Sequence, residues 1–366
     1  MPTSQIELNY IMENGQQHQH ENPELETTPA NIAPAEPAIS QTKPFMERLK
    51  AFLADDFKAV ITVLDSVYQV DGALMQQVAD YLVEGRGKML RPAIVCLSAR
   101  AHGIDPAKTD HHINLGAAIE LFHVATLLHD DVIDKAPMRR GRPTVNAKWG
   151  DDAAILFADY LYASSFDLAL STLNAETLRV LTLTTQRMTE GEFLQMERRG
   201  DWLSVEDYLT IIDRKTAQLF SASAGLGALI AQTSRENVNN MLTYGLEFGL
   251  AFQITDDTLD YEAQSANWGK RVGADLKEGK QTLPLLRTLE QANTEDLEAL
   301  RKTLTTDRDF ETVHRFVAKY DAIPYSLEIA KAHCAKSVQC LEHLATSDLA
   351  AELLRELSTG LIQRSY

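Results

Sequence analysis

Apolar residues fall at positions 45, 49, 52, 53, 57, 60, 61, 64, 67 and 68, the three-and-four spacing of a helix with one buried face. The spacing predicts a helix over 45–68. Similar patterns predict helices over about 73–83, 92–102, 111–135, 153–173, 176–198, 205–231, 236–263 and 323–362. Period-two alternation bounded by turn residues is nearly absent, so the expected class is all-α. Helix starts are legible too: Pro92 suits a first helical turn, and Ser204 with Asp207 has the spacing of a capping box, Asp replacing Glu. Between about 110 and 263 the helices are long and apolar nearly all round, which places them at the centre of a large bundle. Those after 284 are shorter and more charged. Sequence repeats at solenoid periods of about 20–50 residues are not seen, so one helical domain over 44–366 is expected.

Residues 1–43 break the pattern. Pro, Gln, Glu, Thr and Asn dominate, with six glutamates and one basic residue, Lys43. This composition predicts a disordered tail. It has neither the basic start and apolar centre of a secretory signal nor the arginines of a transit peptide, so a cytoplasmic location is expected. No uninterrupted apolar run reaches the roughly 18 residues of a membrane span, and stable membrane insertion is not expected. A net charge of −17 argues against nucleic acid as a partner. Any anionic ligand must then be held by a local basic cluster or by metal. The three cysteines, Cys96, Cys334 and Cys340, lack metal-ligand spacing and read as reduced thiols.

Two acidic clusters stand out against this background. Asp130 and Asp134 are one helical turn apart on one face, with Asp131 beside them, and Asp256, Asp257 and Asp260 repeat that geometry. If the helices face each other, six carboxylates line one cleft. Each cluster alone could be a solvated helix end. Two such clusters, each after an apolar run, call for something multivalent and positive between them. All-oxygen ligands in open geometry suit Mg²⁺, which binds through one or two carboxylates plus substrate phosphates.

Phosphate-binding chemistry surrounds the first cluster. Arg139 and Arg140 sit in a Pro/Gly-punctuated loop from which adjacent side chains can diverge toward two anions. Upstream, "GRGKMLRP" (85–92) sets Lys88 and Arg91 on a glycine-containing loop running into a helix N-terminus, a favourable anion site. His123, seven residues before Asp130, shares its helical face and can donate to a phosphate.

These residues carry a resemblance. "GRGKMLRP", "HVATLLHDDVID", "MRRGRPT", "DRKTAQLF", "FQITDDTLDY" and "GKRVGADLKEGKQTLPLL" resemble, in order, the blocks of the trans-isoprenyl diphosphate synthases (polyprenyl synthetases), over residues 45–366. Two departures are visible: the usual GGKRxRP reads Arg86-Gly87-Lys88-Met89-Leu90-Arg91-Pro92, and the usual Gly-Asp before Tyr-Leu reads Ala158-Asp159. Met89 removes one cation near the first anion site.

The resemblance implies an isoprenoid-synthase bundle with a central cleft, acting as a prenyltransferase. It would condense isopentenyl diphosphate, head to tail and in trans geometry, with an allylic diphosphate such as farnesyl diphosphate. It implies Asp130, Asp134, Asp256 and Asp260 as metal ligands for Mg²⁺, and Arg139, Lys215, Thr216, Gln253 and Lys270 as the rest of the allylic pocket. Asp130, Asp134, Asp256 and Lys215 would be catalytic. Lys88, Arg91, His123 and Arg140 would hold isopentenyl diphosphate, with the departing diphosphate as proton acceptor. It also implies a homodimer.

Product length is read from the helix before the first motif. Thr126, Ala125 and Phe122 lie four, five and eight positions before Asp130, and in short-chain members an aromatic residue at the first or second of these blocks the tunnel. Here both are small. The likeness is therefore to long-chain octaprenyl or solanesyl-type synthases, with a product for a quinone side chain. Alternatives are a geranylgeranyl or farnesyl synthase and a non-catalytic subunit of a heteromeric synthase; a terpene cyclase should carry a different second motif, and a non-catalytic subunit should have lost an acidic or basic block.

Overall fold

The structure is a computed structural model that describes residues 44–262, 273–345 and 347–363. The expected tail over 1–43 and Lys270 lie outside these residues. The chain divides into two compact units, Met1–Phe52 and Leu53–Tyr366. In the first, the described element is helix α1, Phe45–Phe52. The helix expected over 45–68 is thus interrupted: α2 spans Ala54–Val67, and Leu53 between them has φ −98° and ψ 17°. Asp55 and Asp56 in the first turn of α2 favour a fresh start there, because acidic side chains complement the helix dipole.

The second unit continues with α3 (Ala73–Glu84), α4 (Leu90–Ala101) and α5 (His111–Ile133). After a hairpin of β1 (Met138–Arg139) and β2 (Arg142–Pro143) come α6 (Val145–Trp149), α7 (Asp151–Leu170) and α8 (Ala175–Glu197). Then follow α9 (Val205–Ile212), α10 (Gln218–Ile230) and α11 (Arg235–Leu259). Shorter helices complete it: α12 (Ala274–Glu278), α13 (Leu283–Gln291), α14 (Thr294–Thr306), α15 (Phe310–Lys319), α16 (Ala322–Gln339) and α17 (Leu349–Gln363). The single run expected over 323–362 is therefore two helices. The capping box is present: the Asp207 backbone N–H donates to Ser204 Oγ at 3.0 Å, and the Ser204 N–H to Asp207 Oδ2 at 3.1 Å.

Helix α10 is the centre of this unit, since every residue from Leu219 to Ile230 is buried. Helices α4, α5 and α11 all pack against it. Its "SASAGLGA" run keeps side chains small enough for that, and its hydroxyls are satisfied: Ser221 Oγ donates to Leu242 O at 2.8 Å. Between α9 and α10 the helix widens into a π-helical turn, Asp213–Ala217. Helix α7 is the one described helix long and apolar enough to cross a membrane, judged by length and composition. It carries Asp159 at mid-length and packs along α5, the part of a bundle helix.

Candidate active site

The β1–β2 hairpin divides the basic residues. Met138 pairs with Pro143 and Arg139 with Arg142, which leaves Arg140 and Gly141 as a two-residue turn with φ 51° and 76°. Two consecutive positive φ values match the twist of a hairpin, and glycine supplies one of them without strain. Arg140 adopts the other at a cost of roughly 1–2 kcal/mol. The turn sends the two arginines opposite ways. Arg139 Nε donates to Asp131 Oδ1 at 2.8 Å, whereas the Arg140 guanidinium lies over Gly87, 3.1 Å from where a Cβ would stand. The hairpin is clamped to α3: Tyr81 OH donates to Pro143 O at 2.6 Å, and Arg142 reaches Glu84 at 2.9 Å.

On the Arg140 side is a basic pocket. The left-handed Met89 (φ 56°) starts α4 without a side-chain cap, so nothing from its own side chain competes for the first N–H groups. Arg91 stacks over the Phe220 ring at 4.2 Å. Burial pushes its guanidinium down to about 10, with Glu120 acting to hold the charge and Arg140 against it. It remains a cation at neutral pH. Burial first, then Arg91, Arg140 and Arg139, hold His123 well below the ordinary imidazole range. His123 is thus a neutral ring with one N–H to donate. Three of the expected residues, Arg91, His123 and Arg140, thus act on one another, and Lys88 follows Gly87 in the loop that Arg140 covers. Glu120, buried among Arg91, Arg140 and Arg86, was not anticipated; its carboxyl is raised by burial, against those three arginines.

On the Arg139 side are the acids, and here the structure corrects the expectation of six cleft carboxylates. Asp131 and Asp257 are only 4% and 6% exposed. Asp131 is committed to Arg139, and Asp257 accepts from Tyr208 OH and Gln253 Nε2, both at 2.7 Å. Asp260 also turns inward. Its carboxylate accepts the Asp275 and Ala274 backbone N–H groups at 3.0 and 3.3 Å, at the start of α12. Asp134 accepts from Arg199 at 2.8 Å, a partner the sequence analysis missed. Burial pushes Asp130 up to about 6, with Lys215 opposing and Glu192 adding to the rise. Among the described residues no three His, Cys, Asp or Glu side chains converge closely enough to hold a metal by themselves.

The π turn brings the second half of the site to the first. A Cβ at Gly191 would stand 2.6 Å from Arg214 Cβ, and one at Gly249 would stand 2.6 Å from Ala217 Cα. These contacts press α8 and α11 onto the turn. Next to Gly191, Glu192 pairs with Lys215, whose Nζ donates to Gln195 at 3.1 Å. One turn past Gly249, Gln253 accepts from Thr216 Oγ1 at 2.9 Å. Thr216, Gln253, Asp257 and Tyr208 thus form one hydrogen-bonded chain.

The chain-length trio is split. Successive residues are about 100° apart on a helix, so Thr126 lies about 40° from Asp130, Phe122 about 80° and Ala125 about 140°. Ala125 and Phe122 have no exposed surface, whereas Thr126 is partly exposed on the face of His123 and Asp130. Of the three residues expected to meet the product, Thr126 alone has exposed surface. Phe122 packs edge-on to Tyr162 at 5.0 Å, and Tyr162 stacks on Phe166 at 6.4 Å.

A helical bundle joining carboxylates to a pocket of arginines defines an enzyme class that handles diphosphates through their charge. The polyprenyl synthetase family model matches residues 72–322. Octaprenyl diphosphate synthase of Escherichia coli (strain K12) is 37% identical over 260 residues, 71% of this chain and 80% of that one. A geranyl-diphosphate-specific all-trans-nonaprenyl-diphosphate synthase of Rhodobacter capsulatus is 36% identical, covering 83% and 93%. The polyprenyl synthase of Caulobacter crescentus CB15, crystallised with calcium and isoprenyl diphosphate, superposes with TM-score 0.82 at 33% identity, covering 90% of this chain and 100% of that one. The chain belongs to the polyprenyl synthetase family. It is a prenyltransferase that makes trans-polyprenyl diphosphates on the all-α isoprenoid-synthase fold.

Proposed function

We propose that the hairpin separates two diphosphate pockets, and that the product is long, about eight isoprene units. Opposite placement of Arg139 and Arg140 carries this reading. Lys88, Arg91, His123 and Arg140 bind isopentenyl diphosphate. Asp130, Asp134 and Asp256 hold Mg²⁺ with the allylic diphosphate, farnesyl or similar, while Arg139, Lys215, Thr216, Gln253 and Lys270 shape that pocket. The donor set suits the ion: Asp130 sits beside Glu192 and Asp134, and a hard dication with phosphate oxygens relieves that crowding where carboxylates alone are too few. When bound, the metal supplies charge stabilisation for the leaving diphosphate. Lys215 adds a fixed cation at the same place. Asp260, oriented by the α12 N–H groups, keeps a second lone pair on each oxygen with which to join the other carboxylates at the metal.

The small side chain of Thr126, partly exposed on the face of α5 that carries Asp130, supports a long product. A homodimer is supported by apolar surface on α7 and α8, including Leu156 at 68% and Phe193 at 60% exposure. Three unpaired cysteines fit a cytoplasmic setting. The test is incubation with isopentenyl and farnesyl diphosphates and Mg²⁺, sizing the product. A product of about seven to ten units supports the reading; one that stops at four overturns the assignment of length.

A further inference from the structure

Two histidines meet well away from this cleft. His102 is the residue just beyond α4, about 16 Å along that helix from Arg91, and His343 lies in the turn after α16. Their Nε2 atoms stand 3.1 Å apart although the residues are 241 positions apart in the chain. The ring centroids are 5.3 Å apart, with planes 31° from parallel. His102 Nδ1 is 2.7 Å from Ser98 O, and His343 Nδ1 is 3.0 Å from Cys340 O. A carbonyl oxygen can only accept, so each Nδ1 carries the hydrogen. In neutral rings that leaves a bare lone pair on each Nε2.

Two acceptors facing each other at 3.1 Å repel unless a cation joins them. A shared proton needs a pH below about 6.5, the ordinary imidazole value. At neutral pH a Lewis acid takes that place. Zinc–nitrogen bonds of about 2.0–2.1 Å at a tetrahedral angle separate the ligand nitrogens by about 3.3 Å, so a small turn of the exposed His343 ring from the observed 3.1 Å would admit the ion. We propose that His102 and His343 form a two-histidine site for a borderline divalent transition metal such as Zn²⁺.

The surroundings suit a cation. Both rings stand just past helix C-terminal ends, where carbonyl dipoles favour positive charge. Burial lowers both imidazoles, which keeps the rings neutral and able to ligate, with Asp348 acting against this at His102 and Glu236 at His343, where Arg355 adds to the lowering. That arginine is directed to Leu341 O and Leu344 O at 3.1 and 2.9 Å. His343 is exposed, so an ion can enter from solvent. Among the described residues no third His, Cys, Asp or Glu completes the set, so water fills the remaining positions. Imidazole nitrogen selects Zn²⁺, Cu²⁺ or Ni²⁺, whereas the carboxylates of the cleft suit Mg²⁺, which keeps the two sites chemically separate. The bound ion would tie the end of α4 to the turn leading into α17.

The test uses the full chain, stripped with chelator and free of diphosphate. With one equivalent of Cu²⁺, the electron paramagnetic resonance spectrum should show coupling to two imidazole nitrogens. His343→Ala should lose that pattern and bind Cu²⁺ more weakly by over about tenfold, since even outer-shell losses cost that much. Zn²⁺ should raise Tm in the wild type and in Asp130→Asn/Asp256→Asn, but not in His343→Ala or His102→Gln. Circular dichroism in chelator checks that each variant folds. Equal Cu²⁺ spectra for wild type and His343→Ala would overturn the site. So would a Zn²⁺ shift lost on neutralising Asp130 and Asp256, or stabilisation that appears only below pH 6.5 without metal.

Discussion

Arg91, stacked on Phe220 beside Glu120, is the residue whose loss separates the two proposed pockets most cleanly. Charge-assisted hydrogen bonds contribute about 1.5–3 kcal/mol. Arg91→Gln should therefore raise KM for isopentenyl diphosphate roughly 10- to 150-fold and leave the allylic KM nearly unchanged. Steady-state kinetics with each substrate varied in turn checks this, and a selective loss on the allylic side would reverse the assignment of the pockets. His123 gives a pH signature. Its folded-state pKa lies well below the ordinary 6.5, so the folded chain binds fewer protons there than the unfolded one. The contribution is complete above 6.5 and lost as pH falls below it. Denaturant titrations should show a shallower loss of stability from pH 6.5 to 5 in His123→Gln than in wild type; parallel curves would contradict the neutral ring. Arg91, Arg140 and His123 could be grouped from the sequence because cations beside a Gly-containing loop and a histidine on the face of Asp130 fall in one run of motifs. Glu120, Glu192 and Arg199 could not, since a lone charge on a helix does not name its partner before packing is known.

Three elements position the chemistry. The hairpin was visible only as a Pro/Gly-punctuated loop, because two-residue strands leave no periodicity. The π turn was not visible: "DRKTA" carries no signal for it, and its cause lies at Gly191 and Gly249 on other helices. Gly249→Val should overpack this contact by about 1–3 kcal/mol or more, lowering Tm and, by displacing Thr216 and Gln253, kcat. Gly360→Ala, with nothing within 4 Å of the new methyl, should instead raise Tm slightly by helix propensity. Equal Tm for Gly249→Val and wild type would show that the turn has another origin. The partners of Asp260 were hidden for a similar reason: the Ala274 and Asp275 N–H groups lie beyond the helix on which its spacing was judged. Along α5 the 100° step between successive residues by itself separates Thr126 from Ala125. Thr126→Tyr should shorten the product to about three or four units by filling the open face. Ala125→Tyr can act only by displacing neighbours, since that position has no open surface. Product sizing on both variants decides, and an unchanged length in Thr126→Tyr would mean the chain runs elsewhere.

Across the whole molecule the periodic pattern was a sound guide, because burial on all sides of α10 and on one face of its neighbours dictates the apolar spacing. It failed at Leu53 and over residues 340–345, where apolar residues continue though the helix does not. At this scale the net charge of −17 works against anionic substrates, so their capture depends on local cations and metal. Turnover should accordingly vanish on chelation and return with Mg²⁺, and Asp130→Ala and Asp256→Ala should each lower kcat by orders of magnitude. The division of the cleft by the Arg139–Arg140 turn is tested most directly by calorimetric titration of isopentenyl diphosphate into chelator-treated protein. Binding should persist without metal and weaken at least about tenfold in Arg140→Gln, while Asp130→Asn leaves it intact. Binding that requires Mg²⁺, or that falls in Asp130→Asn and not in Arg140→Gln, would contradict the two-pocket account.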